Sequence, residues 1–582
     1  MAIRTFQATL QTSDFPHNFQ ELGDTVVVPT RFELNSGGEP NVSVPQAYFM
    51  QNVLPTSRGF SSVRYRNLLS SIPNATSPIK RVSTLRGAGD SIAMHADNDT
   101  QQFVYNPKTG VWQTFNLGIL NSAGSFIATL KERSFIYIPG AATLFEYNFV
   151  TETLDALAVP ALNLGNIKGF TAAGSYLIAW NDSQIFWSSV VDPLDFAPSL
   201  STGAGATSIL SVRGRIVTVV PLNDNFVIYT ATNAVAAQLT RDIRFPFVFA
   251  EIPGAAGLIS RFHVTANTEE AVHIAWTASG FQQVTTQQAQ YAFPDLSDGI
   301  IRGILSELDP IELRPTLNRY QGLDVQVNFV SGRWVTISLR TKEDEELNQG
   351  FRIAYVLDVL LGRWGRLDVE HRNFVEFQAP EFKEFTTYAQ LAADNPTYQD
   401  MAGKTYSSFA VEKNFSGAKA GSNFGVARSD GSIFSVSFSE VENFAPAALD
   451  LPVPVSRLFL GKYKVFRQSA ANMQRVQTSG LVPGEAAVRF HAHAHDGKFV
   501  QSVNVSTEHP RQPGTFLGRL SGYAVSVELQ GNFALNSLIV EAADAGKRNH
   551  KFFTQDSDFV QVVDGVSDVV NSDIIVTTEV QP

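Results

Sequence analysis

A short phrase recurs in this chain and restricts what it can become. Tyr105-Asn106-Pro107-Lys108-Thr109-Gly110-Val111-Trp112 reads as a strand end, a tight turn and a returning strand. Tyr147-Asn148-Phe149-Val150-Thr151-Glu152-Thr153-Leu154 repeats it, as does Leu357-Asp358-Val359-Leu360-Leu361-Gly362-Arg363-Trp364. Each copy has an apolar or aromatic residue, then Asn or Asp, and a bulky apolar residue seven places after the first. An Asn or Asp side chain bonds the backbone just ahead of it and starts a turn, and Gly at the sixth place supplies the positive φ that ends one. Glu152 takes that sixth place in the second copy. The first two copies lie 42 positions apart and the third 210 beyond the second, five times 42. A period of about 40 to 50 residues built from strands is that of a β-propeller blade.

The surrounding chain fits an all-β reading. From Val82 to Leu296, short β-type runs alternate with turn clusters, as in Tyr176-Leu177-Ile178-Ala179-Trp180 and Phe226-Val227-Ile228-Tyr229-Thr230. No amphipathic helix longer than about two turns interrupts them. Forty-three phenylalanines, with 44% apolar and only 17% charged residues, suit stacked sheets and exclude a mainly disordered chain. The expected fold is a β-propeller of about six to seven blades plus a C-terminal β-sandwich domain, with an irregular insertion.

Six segments follow. Residues 1–65 form an N-terminal arm of strands packing on the C-terminal platform, and 66–379 carry the blades. Residues 380–422, rich in Ala, Lys, Gly and Ser, form a projecting loop where working contacts are expected. Residues 423–450 return as closing propeller strands. After the proline-rich stretch Pro446 to Pro454, residues 451–545 alternate as a sandwich does, and 546–582 are a C-terminal arm.

Chemistry is scarce. There is no cysteine, which excludes disulfides, thiolate metal sites and cysteine nucleophiles. A net charge of −11 argues against a surface built to grip nucleic-acid phosphates. The start lacks an apolar signal core and no run of 18 apolar residues occurs, so secretion by such a signal and membrane spanning are not expected. Gly403-Lys404-Thr405 ends like a phosphate loop, but Tyr398 stands where the first Gly belongs. The acidic run Lys342 to Glu346 reads as a solvated hairpin tip, because no Asp-x-Asp-x-Asp-Gly spacing supports a cation loop. His491, His493 and His495 alternate along one strand. Such a row puts three imidazoles about 6.5 to 7 Å apart on one face. An exposed polar face is the expectation, with a shared metal only where an assembly brings copies together. No catalytic, cofactor-binding or metal residue is assigned, no cofactor is expected, and the chain is read as non-enzymatic.

Three stretches carry a resemblance. These are Ala47-Tyr48-Phe49-Met50-Gln51-Asn52-Val53 with Arg58-Gly59-Phe60 behind it, the segment from Gln184-Ile185-Phe186-Trp187 to Asp195-Phe196, and Gly518-Arg519-Leu520-Ser521-Gly522 running on to Leu538-Ile539-Val540-Glu541. In order and architecture they resemble the tail nozzle family of short-tailed bacteriophages, also called tail tubular protein B. Residues 380–422 and 546–582 lie outside the likeness. It implies a structural virion protein, made in the host cytoplasm and resident in the tail. Six copies would form a ring that retains the packaged genome and conducts double-stranded DNA at ejection without sequence-specific binding. The ring would contact a portal adaptor and dock tail fibres or spikes. A carbohydrate-binding or carbohydrate-degrading propeller of a phage tail is the alternative.

Overall fold

The computed structural model describes residues 3–8, 26–27, 41–42, 47–56, 59–88, 91–106, 111–117, 124–208, 211, 213–240, 242–267, 270–294, 296–297, 324–330, 332–340, 350–378, 422–437, 456–464, 470–481, 487–494, 499–505, 514–531 and 533–544. The insertion, the Lys342 to Glu346 run, Gly403 to Thr405, His495 and the C-terminal arm lie outside them. The chain divides into two compact units. One is drawn from Met1–Ser62, Leu308–Arg314 and Val455–Pro582, the other from Val63–Glu307 and Pro315–Pro454. Among the described residues no helix is long and apolar enough to cross a membrane.

The second unit is a β-propeller. Successive four-stranded antiparallel meanders span 81–116 (blade 1), 126–157 (blade 2), 169–208 (blade 3), 216–256 (blade 4), 264–291 (blade 5) and 324–371 (blade 6). A seventh sheet joins Asn373–Gln378, Ser422–Ala427 and Ser432–Ser437, and its fourth, outermost strand is Arg64–Ser71 from before blade 1. The first strand of each blade lies against the first strand of the next, and the ring closes where Asn373–Gln378 meets Arg81–Arg86. At that seam the Asn373 side chain accepts from the Val82 amide at 3.0 Å and donates to the Val82 carbonyl at 2.7 Å.

Covering both faces of every sheet explains the strand sequences. Tyr176–Trp180 and Val272–Thr277 are buried at every position, because a neighbouring blade lies on each side, and they are apolar except at His273 and Thr277. Aromatic pairs join the blades: Phe126 to Trp180 at 5.5 Å, Tyr176 to Phe247 at 5.2 Å, Trp334 to Phe424 at 5.9 Å and Tyr105 to Phe377 at 5.2 Å. Each such side chain contributes roughly 1.5–3 kcal/mol when fully buried.

All three copies of the turn phrase are outer hairpins, from the third to the fourth strand of blades 1, 2 and 6. Their first and last residues are cross-strand partners, Tyr105 with Trp112, Tyr147 with Leu154 and Leu357 with Trp364. Asn148 accepts from the amides of Val150 and Thr151, and Asp358 from those of Leu360 and Leu361. The sixth place has φ of 62° at Gly362 and 56° at Glu152. Glu152 tolerates this backbone while its carboxylate accepts from Asn106 and, at 2.8 Å, from Gln113, both in blade 1. The interval of 210 spans four blades, not five. Blade 3 places an excursion of residues 188–204 before its outer strand, and a long segment separates blades 5 and 6.

The first unit is a two-layer β-sandwich built from both ends of the chain. In one sheet Ile3–Ala8 pairs with Ala534–Asp544, which also pairs with Ala471–Leu481, itself beside Thr515–Gly522. In the other, Arg457–Lys464 and Ala487–His493 flank Ala524–Gln530. Val476, Phe516 and Val540 of the first sheet share one apolar core with Leu460, Phe490 and Val527 of the second.

Candidate functional site

Two clusters of polar groups stand out, one in each unit. In an antiparallel meander, the starts of first strands and the ends of second strands lie at the same end of the propeller. Arg81 begins the first strand of blade 1 and Asp97 ends its second. Ser125 immediately precedes the first strand of blade 2, and the turn Arg261–His263 precedes that of blade 5. Asp324 and Arg340 occupy the equivalent places in blade 6. Together they surround one mouth of the central opening.

The Arg261 turn crosses that mouth. Ser260 caps it, its hydroxyl accepting from the Phe262 amide at 3.3 Å. The Arg261 guanidinium donates to the Ser125 carbonyl at 3.3 Å and stacks on the Phe126 ring at 3.9 Å, both at blade 2. In a ring of seven, blade 5 is three blades from blade 2 in one direction and four in the other, so this contact is made across the opening. Arg261 and Arg81 also lie against the same ring, that of Phe262, at 4.6 and 5.5 Å. Asp97 is buried and accepts from the Ser125 amide at 2.6 Å. Gly124, at φ 72°, leaves room for the guanidinium, since a Cβ there would lie 2.9 Å from it. Burial, reinforced by the nearby Arg81 charge and opposed by Asp97, pushes the Arg261 pKa down to about 9. Burial lowers that of Arg81 as well, again opposed by Asp97. On the blade 6 side, Asp324 accepts from Arg340 at 2.8 Å and lies 3.8 Å from His263. Burial would raise its pKa, but His263 and Arg340 outweigh that and hold it low.

The second cluster lies on the expected histidine strand and corrects that expectation. His491 and His493 are buried, at 1% and 3% exposure, rather than on an exposed face. Each reaches diagonally to Ala524–Gln530: His491 Nε2 lies 2.9 Å from Glu528, and His493 Nε2 lies 2.7 Å from the Ser526 hydroxyl. Phe459 stacks on His491, and Arg457 Nε donates to Glu528 at 2.8 Å. Burial acts to raise the Glu528 pKa, but the bonds from His491 and Arg457 win and lower it. Among the described residues no group of three His, Asp or Glu side chains is placed to hold a metal ion. These contacts tie His491, His493 and Glu528 into a buried polar layer in the platform.

Sequence reasoning missed the mouth cluster because Arg81, Asp97 and Arg261 belong to no common motif. The available signal was the pair Arg261 and His263 just ahead of the strand Val264–Asn267.

No family model and no curated protein matches the chain. Among solved structures it is similar to virginiamycin B lyase from Staphylococcus aureus, with 7% identity and a TM-score of 0.32 over 52% of this chain and 87% of that one. It is also similar to the extracellular domain of the hybrid two component system BT4673 from B. thetaiotaomicron, with 9% identity and a TM-score of 0.39 over 83% of this chain and 53% of that one. Both likenesses concern the fold alone.

Proposed function

We propose that this propeller protein is a non-enzymatic structural part of a phage tail, a nozzle subunit. Six copies would form a ring in the virion, below a portal adaptor, that retains the genome, conducts double-stranded DNA at ejection and docks tail fibres. The observation that carries the reading is the winding of the chain. The platform is zipped from both chain ends, Ile3–Ala8 along Ala534–Asp544. The propeller ring is likewise closed by strands far apart in sequence, Arg64–Ser71 against Ser432–Ser437. Such closures open only when many strand-to-strand hydrogen bonds break together, which suits a wall that bears load. The net charge of −11 supports a wall along which DNA slides without being held. Negative-stain microscopy of the purified protein, with mass analysis of purified virions, tests the reading. A six-fold ring and a virion-associated chain are expected. A monomer at micromolar concentration that is absent from virions overturns it, and release of reducing sugar from host capsule points to the carbohydrate-active alternative.

A further inference from the structure

We propose that the propeller mouth is a binding site for a small multivalent oxyanion, a phosphate or a dicarboxylate, held by the guanidinium groups of Arg81 and Arg261 beside the Phe262 ring. The inference does not depend on the tail reading. Two cations converge on one aromatic ring, and the carboxylate that acts on both is Asp97. That carboxylate already accepts from the Ser125 amide. Arg81 Nε is buried without a hydrogen-bond partner, an uncommon and costly state for a donor. Arg81, Arg261 and Phe262 are each half-buried. Guanidinium forks suit the paired oxygens of phosphate and carboxylate, and a desolvated setting strengthens such charge-assisted bonds. Gly124 belongs to the arrangement, because any side chain there would displace the Arg261 guanidinium.

Isothermal titration of the full chain with inorganic phosphate, pyrophosphate and malonate, against sodium chloride at matched ionic strength, tests this. Saturable binding of at least one of these oxyanions is expected, weaker by about tenfold or more in Arg81→Gln and in Gly124→Ala. Equal affinity in Arg81→Gln, or a response that follows ionic strength alone, overturns the proposal. Should Arg81→Gln not fold, Arg81→Lys decides, since it keeps the charge and loses the fork; unchanged affinity in that variant overturns the site. Competition with a short DNA duplex separates two sources of the same chemistry. Displacement of the bound anion assigns it to a nucleic-acid backbone, and no displacement assigns it to a free small molecule.

Discussion

Two buried histidines of the propeller and one buried glutamate of the platform are accommodated in opposite ways. In the propeller, the most deeply buried histidines are kept neutral. His273 donates from Nε2 to the Pro221 carbonyl at 2.9 Å, which leaves Nδ1 to accept from the Tyr229 hydroxyl at 3.0 Å. His371 donates from Nδ1 to the Val369 carbonyl and accepts on Nε2 from Ser338. Burial pushes both pKa values down to about 4. In the platform, Glu528 is fully buried yet stays charged, because Arg457 and His491 converge on it. Around His273 and His371 the blades offer backbone carbonyls and hydroxyls, whereas the platform strands place Arg457, His491 and Glu528 side by side. The difference teaches that a buried ionisable side chain is held neutral or charged by its cross-strand neighbours.

The sharpest way to break the comparison is Glu528→Ala. It leaves the largely buried Arg457 guanidinium without its carboxylate, and we expect a loss of about 3–5 kcal/mol in urea unfolding. All six tryptophans lie between Trp112 and Trp364, so fluorescence follows the propeller while circular dichroism follows both units. A platform transition that shifts by dichroism, with the fluorescence transition in place, is the expected result. A fluorescence shift of equal size removes the distinction.

Acid gives the next largest effect. Below pH of about 6.5 the unfolded chain protonates His273 and His371 and the native propeller does not, so stability falls as pH drops from about 6.5 towards 4. Each histidine accounts for up to about 3 kcal/mol. Glu528 has its native pKa lowered, so its contribution is intact above the ordinary carboxylate range and is lost only as pH falls through that lowered value. Fluorescence-detected unfolding at pH 5.5 should therefore already be weakened by the histidines. A flat profile from pH 7 to 4 contradicts their neutral burial.

Smaller effects test the seams between blades. Glu152→Ala removes the acceptor for Asn106 and Gln113 and keeps the left-handed backbone, at about 1–2 kcal/mol. Glu152→Gly loses the same bonds but relieves about 1 kcal/mol of backbone strain, so it should be the milder variant in thermal unfolding. Ser70→Ala deletes the acceptor for the Trp112 indole N–H, a bond of 2.6 Å between blade 1 and the closing strand, and should cost about 1 kcal/mol.

The blades were legible because their turn chemistry is local. An Asn or Asp starts the turn and a Gly four places on ends it in two of the three copies, and in all three the flanking strands pair. Blade number was harder to read, since the excursion at 188–204 and the segment after Tyr291 stretch the period without changing the phrase. The histidine strand shows the opposite limit. Alternation places His491 and His493 on one face, but whether that face is wet depends on Phe459 and Glu528, which lie on other strands. The mouth cluster was legible only as the run Ser260 to His263, without its partners. Arg81 and Arg261 become neighbours only through ring closure, which no window of sequence contains.

That closure also sets an order of events during synthesis. Arg64 pairs with Ser437, so the outer strand of the seventh sheet waits for nearly the whole propeller to leave the ribosome. At about 5–20 residues per second the delay is roughly 20 s to over a minute. Through that interval the first strand to emerge has an unpaired edge, and two nascent chains on one message could exchange it. The translation rate between blades 1 and 7 therefore sets how long that edge stays open.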